Sequence, residues 1–143
     1  MLTYDEMVEK TREFYDELQI DIPDKYVDLA VRSLTMPQYA KEFNDKFHKE
    51  IGDHRALATV GDAICAAYTM LKFYEDSLTS DDLNKKKEVL QNKELNIVGE
   101  QVLKNVLFAR NNDLSSNNEN ENKKAYATAI EAVIGFISII DKK

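Results

Sequence analysis

An all-α fold in a single domain spanning residues 1–143 is what this sequence predicts, and three observations carry the prediction. Only four glycines and two prolines interrupt the 143 residues. Apolar positions recur at helical spacing, and no segment alternates as a half-buried strand does. The length suffices to bury one sizeable core and would cramp two.

About seven helices follow in order. Thr3 and Glu6 form a capping-box pattern at the start of a helix over 3–19, with Met7, Thr11, Phe14 and Leu18 on one face. Pro23 suits the first turn of a second helix carrying Val27, Ala30, Val31 and Leu34. Pro37 closes that helix and opens a third with Tyr39, Ala40, Phe43 and Phe47, which Gly52 stops. Asp53 is placed to cap a long fourth helix reaching Asp76. Its stretch from Ala56 to Leu71 is apolar nearly all round with a single charge, Asp62, so it is expected at the centre of the core. Ser80 starts a short, charged fifth helix through Lys85, Lys86 and Lys87. Asn92 starts a sixth with Leu95, Val98, Val102 and Val106 facing inward, and both are expected as outer layers. Residues 111–122 are rich in Asn, Ser and Glu without periodicity and read as an exposed loop. The last helix, over 123–140, is again apolar nearly all round from Ala125 onward, with one charge, Glu131.

Nineteen Lys and Arg against 26 Asp and Glu give a net charge of −7, the wrong sign for a general nucleic-acid coat protein, so any nucleic-acid contact has to be local. The single cysteine, Cys65, excludes a disulfide framework and a Cys-rich zinc site and suits a reducing compartment, with a cytoplasmic location expected. The acidic opening from Met1 to Glu6 lacks the order of a signal peptide. No apolar run reaches the roughly 20 residues of a membrane span, so a soluble, unprocessed chain with no membrane partner is expected.

The most informative feature is the pair Asp62 and Glu131, each in the middle of a helix that otherwise belongs in the core. Ionised acids are almost never buried without a partner, because an uncompensated charge costs several kcal/mol. Two readings are open. Each acid bonds a nearby base such as Arg55 or Arg32, or both meet at one end of two packed helices and hold a hard divalent cation through carboxylate oxygens. Gly61, inside the fourth helix at a cost of about 1 kcal/mol relative to Ala, suggests a close helix–helix approach beside Asp62, and Gly135 invites the same reading.

The stretch Arg55-Ala56-Leu57-Ala58-Thr59-Val60-Gly61-Asp62-Ala63-Ile64 resembles the signature helix of ribonuclease III domains, closest to the Ala-Leu-Ala-x-x-Gly-Asp-Ala form of Mini-III ribonucleases. Further on, Asp82-Leu83-Asn84-Lys85-Lys86 is similar to the Mini-III segment after that helix. The run Tyr126-Ala127-Thr128-Ala129-Ile130-Glu131-Ala132-Val133-Ile134-Gly135 resembles its closing helix. Upstream, Leu34-Thr35-Met36-Pro37-Gln38-Tyr39-Ala40 is similar to a stretch of full-length ribonuclease III that Mini-III enzymes keep shorter.

This resemblance implies a helical endonuclease domain without a double-stranded-RNA-binding domain, dimerising through its signature helix to form one valley for double-stranded RNA. It implies that Asp62 and Glu131 are the catalytic, metal-binding acids, with Mg2+ as cofactor and Mn2+ as a substitute. Hydrolysis by water would leave 5′-phosphates and 3′-hydroxyls, and trimming of ribosomal RNA precursors is the role that Mini-III resemblance suggests. Ribonuclease III has acids where this chain has Ala58 and Thr128, whereas Mini-III shares both small replacements. Lys85 and Lys86 match the family and are candidate RNA contacts. Arg110 lies where Mini-III carries a basic Arg-Gly-Arg-Asn loop, of which one arginine and Asn111 remain. The other basic candidates are Lys87, Lys93, Lys104, Lys123 and Lys124, and a lysine cluster of this kind also reads as an ordinary solvated face. His48 and His54 read as ordinary polar residues, and Cys65 as a packed thiol. Two function classes therefore stand: a metal-dependent endoribonuclease, and a non-catalytic ribonuclease III-like module that binds RNA or the ribosome. The residues encode neither a physiological RNA nor a cleavage site.

Overall fold

A computed structural model describes residues 1–75, 78–110 and 119–142, and its described residues form six α-helices and one short 3-10 helix. The helices are α1 (Tyr4–Glu17), α2 (Val27–Ser33), α3 (Pro37–Phe47), α4 (Arg55–Phe73), α5 (Ser80–Leu103) and α6 (Glu119–Ile140). The 3-10 helix, Asp24–Tyr26, leads directly into α2. The fold is all-α, as the sequence predicts. One isolated parallel bridge joins Thr35 to Phe108.

Both halves of the α1 capping box form: the Glu6 amide donates to Thr3 Oγ1 at 3.3 Å and the Thr3 amide to Glu6 Oε1 at 3.0 Å. Met7, Thr11 and Phe14 are buried as expected, whereas Leu18 lies past the helix end and is exposed. Tyr15 takes its place in the core, with its hydroxyl 2.6 Å from Ser33 Oγ. Pro23 stands one residue before the 3-10 helix, and Pro37 is the first residue of α3. Gly52 does not stop α3. His48 does, by adopting the left-handed conformation (φ 53°) while its amide bonds Asn44 O.

Further expectations are corrected. Asp53 does not occupy the cap position of α4, which His54 holds; Asp53 acts from one residue upstream, accepting the Arg55 amide at 2.9 Å. Helix α4 ends at Phe73, with Tyr74 already extended, three residues short of the expected limit at Asp76, which itself lies outside the described residues. The predicted fifth and sixth helices are one continuous helix, α5, about 36 Å long at 1.5 Å per residue. Thr79 caps it by accepting the Asp82 amide, and Asn92 passes through it exposed to solvent, where its side chain does not compete for backbone bonds. Within α5, Gln91, Gly99 and Leu103 are buried and Leu95 and Val102 half-buried, but Val98 is exposed rather than inward-facing. The last helix begins at Glu119, inside the predicted loop, and residues 111–118 of that loop lie outside the described residues.

Helix α6 is the axis of the core. Ala129, Ala132, Val133 and Phe136 are buried along it, and α1, α2, α4 and α5 gather around it, with the Phe136 ring 5.0 Å from that of Tyr15. Helix α4, expected to be central, buries only one face through Leu57, Ala58, Gly61 and Thr69. Val60, Ile64, Tyr68 and Leu71 of the same helix are exposed in the single chain.

Candidate active site

The site is made by two glycines. A Cβ on Gly61 would fall 1.8 Å from the backbone oxygen of Glu131, and one on Gly135 would fall 2.2 Å from the backbone oxygen of Leu57. Helices α4 and α6 therefore touch backbone to backbone at two levels about one turn apart, the close approach that Gly61 and Gly135 suggest in the sequence. Asp62 is adjacent to the first contact, and Glu131 supplies it. Their side chains are brought together as a direct consequence.

The two carboxyl groups share a hydrogen bond, in which a protonated Glu131 donates to Asp62. Burial first, then that bond and the Asp62 charge, push Glu131 up to about 8 from its ordinary 4.5. Asp62 also accepts from Gln91 Nε2 of α5 at 3.0 Å. Asp62 is exposed in the single chain and Glu131 half-buried, so the pair sits at the rim of the α4–α5–α6 junction rather than deep in the core. The ion-pair reading of the sequence is not what forms. Arg55 instead clasps Asp53, with Nη2–Oδ2 at 2.8 Å, and Arg32 lies over Gly52. Among the described residues no basic side chain pairs with either acid.

That arrangement fits a hard cation. Two carboxylates meet without a counter-charge among the described residues, and the amide oxygen of Gln91 is buried without a partner beside them. No group of three or more His, Cys, Asp and Glu that could hold a metal occurs among the described residues, so an ion would rest on two carboxylates, neutral oxygens and water. Magnesium accepts such a set, because it keeps several waters. Ala58, one turn before Asp62, is buried against the core, and Thr128 is half-buried.

Cys65 lies one turn beyond Asp62 and is half-buried; burial first, then Glu131 and Asp62, push its thiol up, which keeps it a packed thiol rather than a nucleophile. The basic candidates do not converge on the acids. Lys85 is exposed near the start of α5, and Lys86 Nζ stands 5.3 Å from the centroid of the Phe73 ring. Arg110 pairs with Glu42 of α3 at 3.4 Å, and Asn111, its expected companion in an RNA-contacting loop, lies outside the described residues. Lys93, Lys104 and Lys124 are exposed, and Lys87 is half-buried.

Two residues of interest escaped the sequence reading. Gln91 reaches Asp62 because α5 is unbroken, and the signal was its place four residues before Leu95 on the inward stripe. His54, read as an ordinary polar residue, is buried at the start of α4 with both ring nitrogens unpartnered, and burial lowers its pKa. No family model and no curated protein matches this chain.

Proposed function

We propose that this chain is a magnesium-dependent endoribonuclease of the ribonuclease III class that cuts double-stranded or structured RNA as a homodimer. The observation that carries the reading is the meeting of Asp62 and Glu131 across a glycine-spaced helix contact, with no basic partner among the described residues. A divalent ion held there supplies Lewis acidity toward a phosphodiester and lowers the pKa of water. The chain's own part is to keep two carboxylates at one point on rigid helices, to hold Asp62 through Gln91, and to leave the rim open to a polyanion. Crowded acids of this kind disfavour their own double ionisation, so a cation and the two carboxylates favour one another. Replacement of the acids, argued in the Discussion, tests the reading.

Exposed apolar residues of α4 support the homodimer. Ile64 is 38%, Tyr68 66% and Leu71 82% exposed, a contiguous apolar stripe of the kind that marks an interface. By length and composition alone α4 could also cross a membrane. Facing lipid, however, Asp62 would incur about 3 kcal/mol at the helix centre, and its bond to Gln91 ties this helix to α5. Light scattering at micromolar concentration is expected to give close to twice 16.4 kDa, and Leu71→Asp to shift the sample toward monomer. A wild-type monomer would remove the two-site valley.

For RNA contact, Lys85→Ala with Lys86→Ala is expected to weaken duplex binding and to reduce the slope of log K against log salt by about one unit per lost phosphate contact. The circular dichroism spectrum should be unchanged, since neither lysine is buried. Unaltered affinity and slope would show the cluster to be a solvated face. Duplex binding by wild type without any cleavage in magnesium or manganese would instead favour the non-catalytic module, with which the net charge of −7 and the engagement of Arg110 by Glu42 agree.

A further inference from the structure

Among the described residues, Gln91 is the one polar side chain from outside α4 and α6 bonded to the acid pair. It is 6% exposed, and its Nε2 donates to Asp62 Oδ1 at 3.0 Å. A carboxylate accepts hydrogen bonds and cannot donate them, so the amide nitrogen must face Asp62, and the orientation of the amide is settled by chemistry. Its carbonyl oxygen is then turned elsewhere, and it is buried with no hydrogen-bond partner. A cleft of about 320 Å³, lined by Gln91 with Ile64, Tyr68, Glu94 and Leu95 but by neither acid, adjoins it. An amide half satisfied and half orphaned is a poor choice for packing alone, because an apolar side chain of the same length would fill the space without stranding an acceptor.

We propose that Gln91 is the third member of the acid site: a positioning residue whose amide N–H holds Asp62 and whose carbonyl oxygen receives a water of a hydrated divalent cation. The proposal rests on the metal reading of Asp62 and Glu131 given above. A hydrated magnesium or manganese ion carries several waters whose O–H groups need acceptors, and the described acid pair provides only carboxylate oxygens. An orphaned amide oxygen beside it supplies a neutral acceptor without adding a third negative charge. Partners of this kind, which orient the ligands and the hydration shell, change metal affinity by roughly tenfold to a hundredfold when removed.

The test is a titration of the full-length, metal-free protein with Mn2+ at pH 8, followed by the electron paramagnetic resonance signal of the free ion. Melting curves without metal are recorded alongside. Wild type is expected to bind one ion per chain. Gln91→Met, which keeps the length and loses both polar atoms, is expected to bind about tenfold more weakly or worse, while melting no lower than wild type. Gln91→Glu restores an oxygen where the carbonyl stood and is expected to bind at least as tightly as wild type, which also covers the case of a Met variant that does not fold. Wild-type affinity in Gln91→Met overturns the assignment, and equal weakening in both variants overturns the carbonyl's part in it; either outcome leaves the two-acid reading intact. Absence of saturable Mn2+ binding in wild type overturns the assignment together with the reading beneath it.

Discussion

Asp62→Asn and Glu131→Gln are each expected to lower magnesium-dependent cleavage of an RNA duplex by roughly two to four orders of magnitude, the equivalent of about 3–5 kcal/mol of barrier. The two side chains touch one another, so they act as a unit and either change should remove nearly the whole effect. The double variant should then be barely slower than either single one. Stability should move in the opposite direction from that of an ordinary core defect. Glu131 is held at about 8 in the folded chain against an ordinary 4.5, so its neutral form is the one the fold prefers. Its stabilising contribution is complete below about pH 4.5 and is lost as pH rises through 8. Metal-free wild type should therefore lose melting temperature across that window. Glu131→Gln, which stays neutral, should escape the loss and melt above wild type at pH 8 and higher. Added magnesium should raise wild type and leave this variant unmoved. Melting scans from pH 5 to 9 with and without magnesium check these signs. If both amide variants melted several degrees lower while cleavage continued, the acids would be structural and the nuclease reading would fall.

Gly61→Ala should be the most damaging single-methyl change in the protein. The new Cβ would lie 1.8 Å from the Glu131 backbone oxygen, an atom belonging to a buried helix that has no flexible side chain to fold away. Alanine is favoured over glycine in a helix by about 1 kcal/mol. Forcing α4 off α6 exceeds that gain, because the facing contact at Gly135 and Leu57 resists the same movement. A net loss of about 3 kcal/mol is expected, or roughly 10 °C in melting temperature for a chain of this size. Cleavage should fall further than stability explains, since the shift would also part Asp62 from Glu131. An alanine variant as stable as wild type would show that the helices do not meet at this distance.

How much of this could be read beforehand depended on how local each cause was. The Thr3–Glu6 box and the start of α3 at Pro37 depend on bonds within a few residues, and both stand where the sequence places them. The seam of α6 was legible for a related reason: a helix with apolar residues all round has few places to go except the middle of a bundle. The identical pattern in α4 predicts a central position that the helix does not take, because all-round apolarity also describes a helix partly in its own core and partly uncovered, and periodicity cannot separate the two. The break expected at Asn92 was a local preference of a few tenths of a kcal/mol, too small to interrupt a helix packed along both α4 and α6.

The sequence by itself determined an all-α chain, the two acids isolated on apolar helices, and two glycines that demand close approach. Each of these follows from spacing along a single helix, which the chain carries without reference to anything else. Tertiary structure alone decided that the acids bond one another rather than Arg55 or Arg32, that Gln91 reaches them from a third helix, and that apolar residues of α4 stay uncovered. Residues 62, 91 and 131 are separated by 29 residues or more along the chain, so their meeting depends on crossing geometry and on the backbone contacts at Gly61 and Gly135, quantities that no local pattern contains.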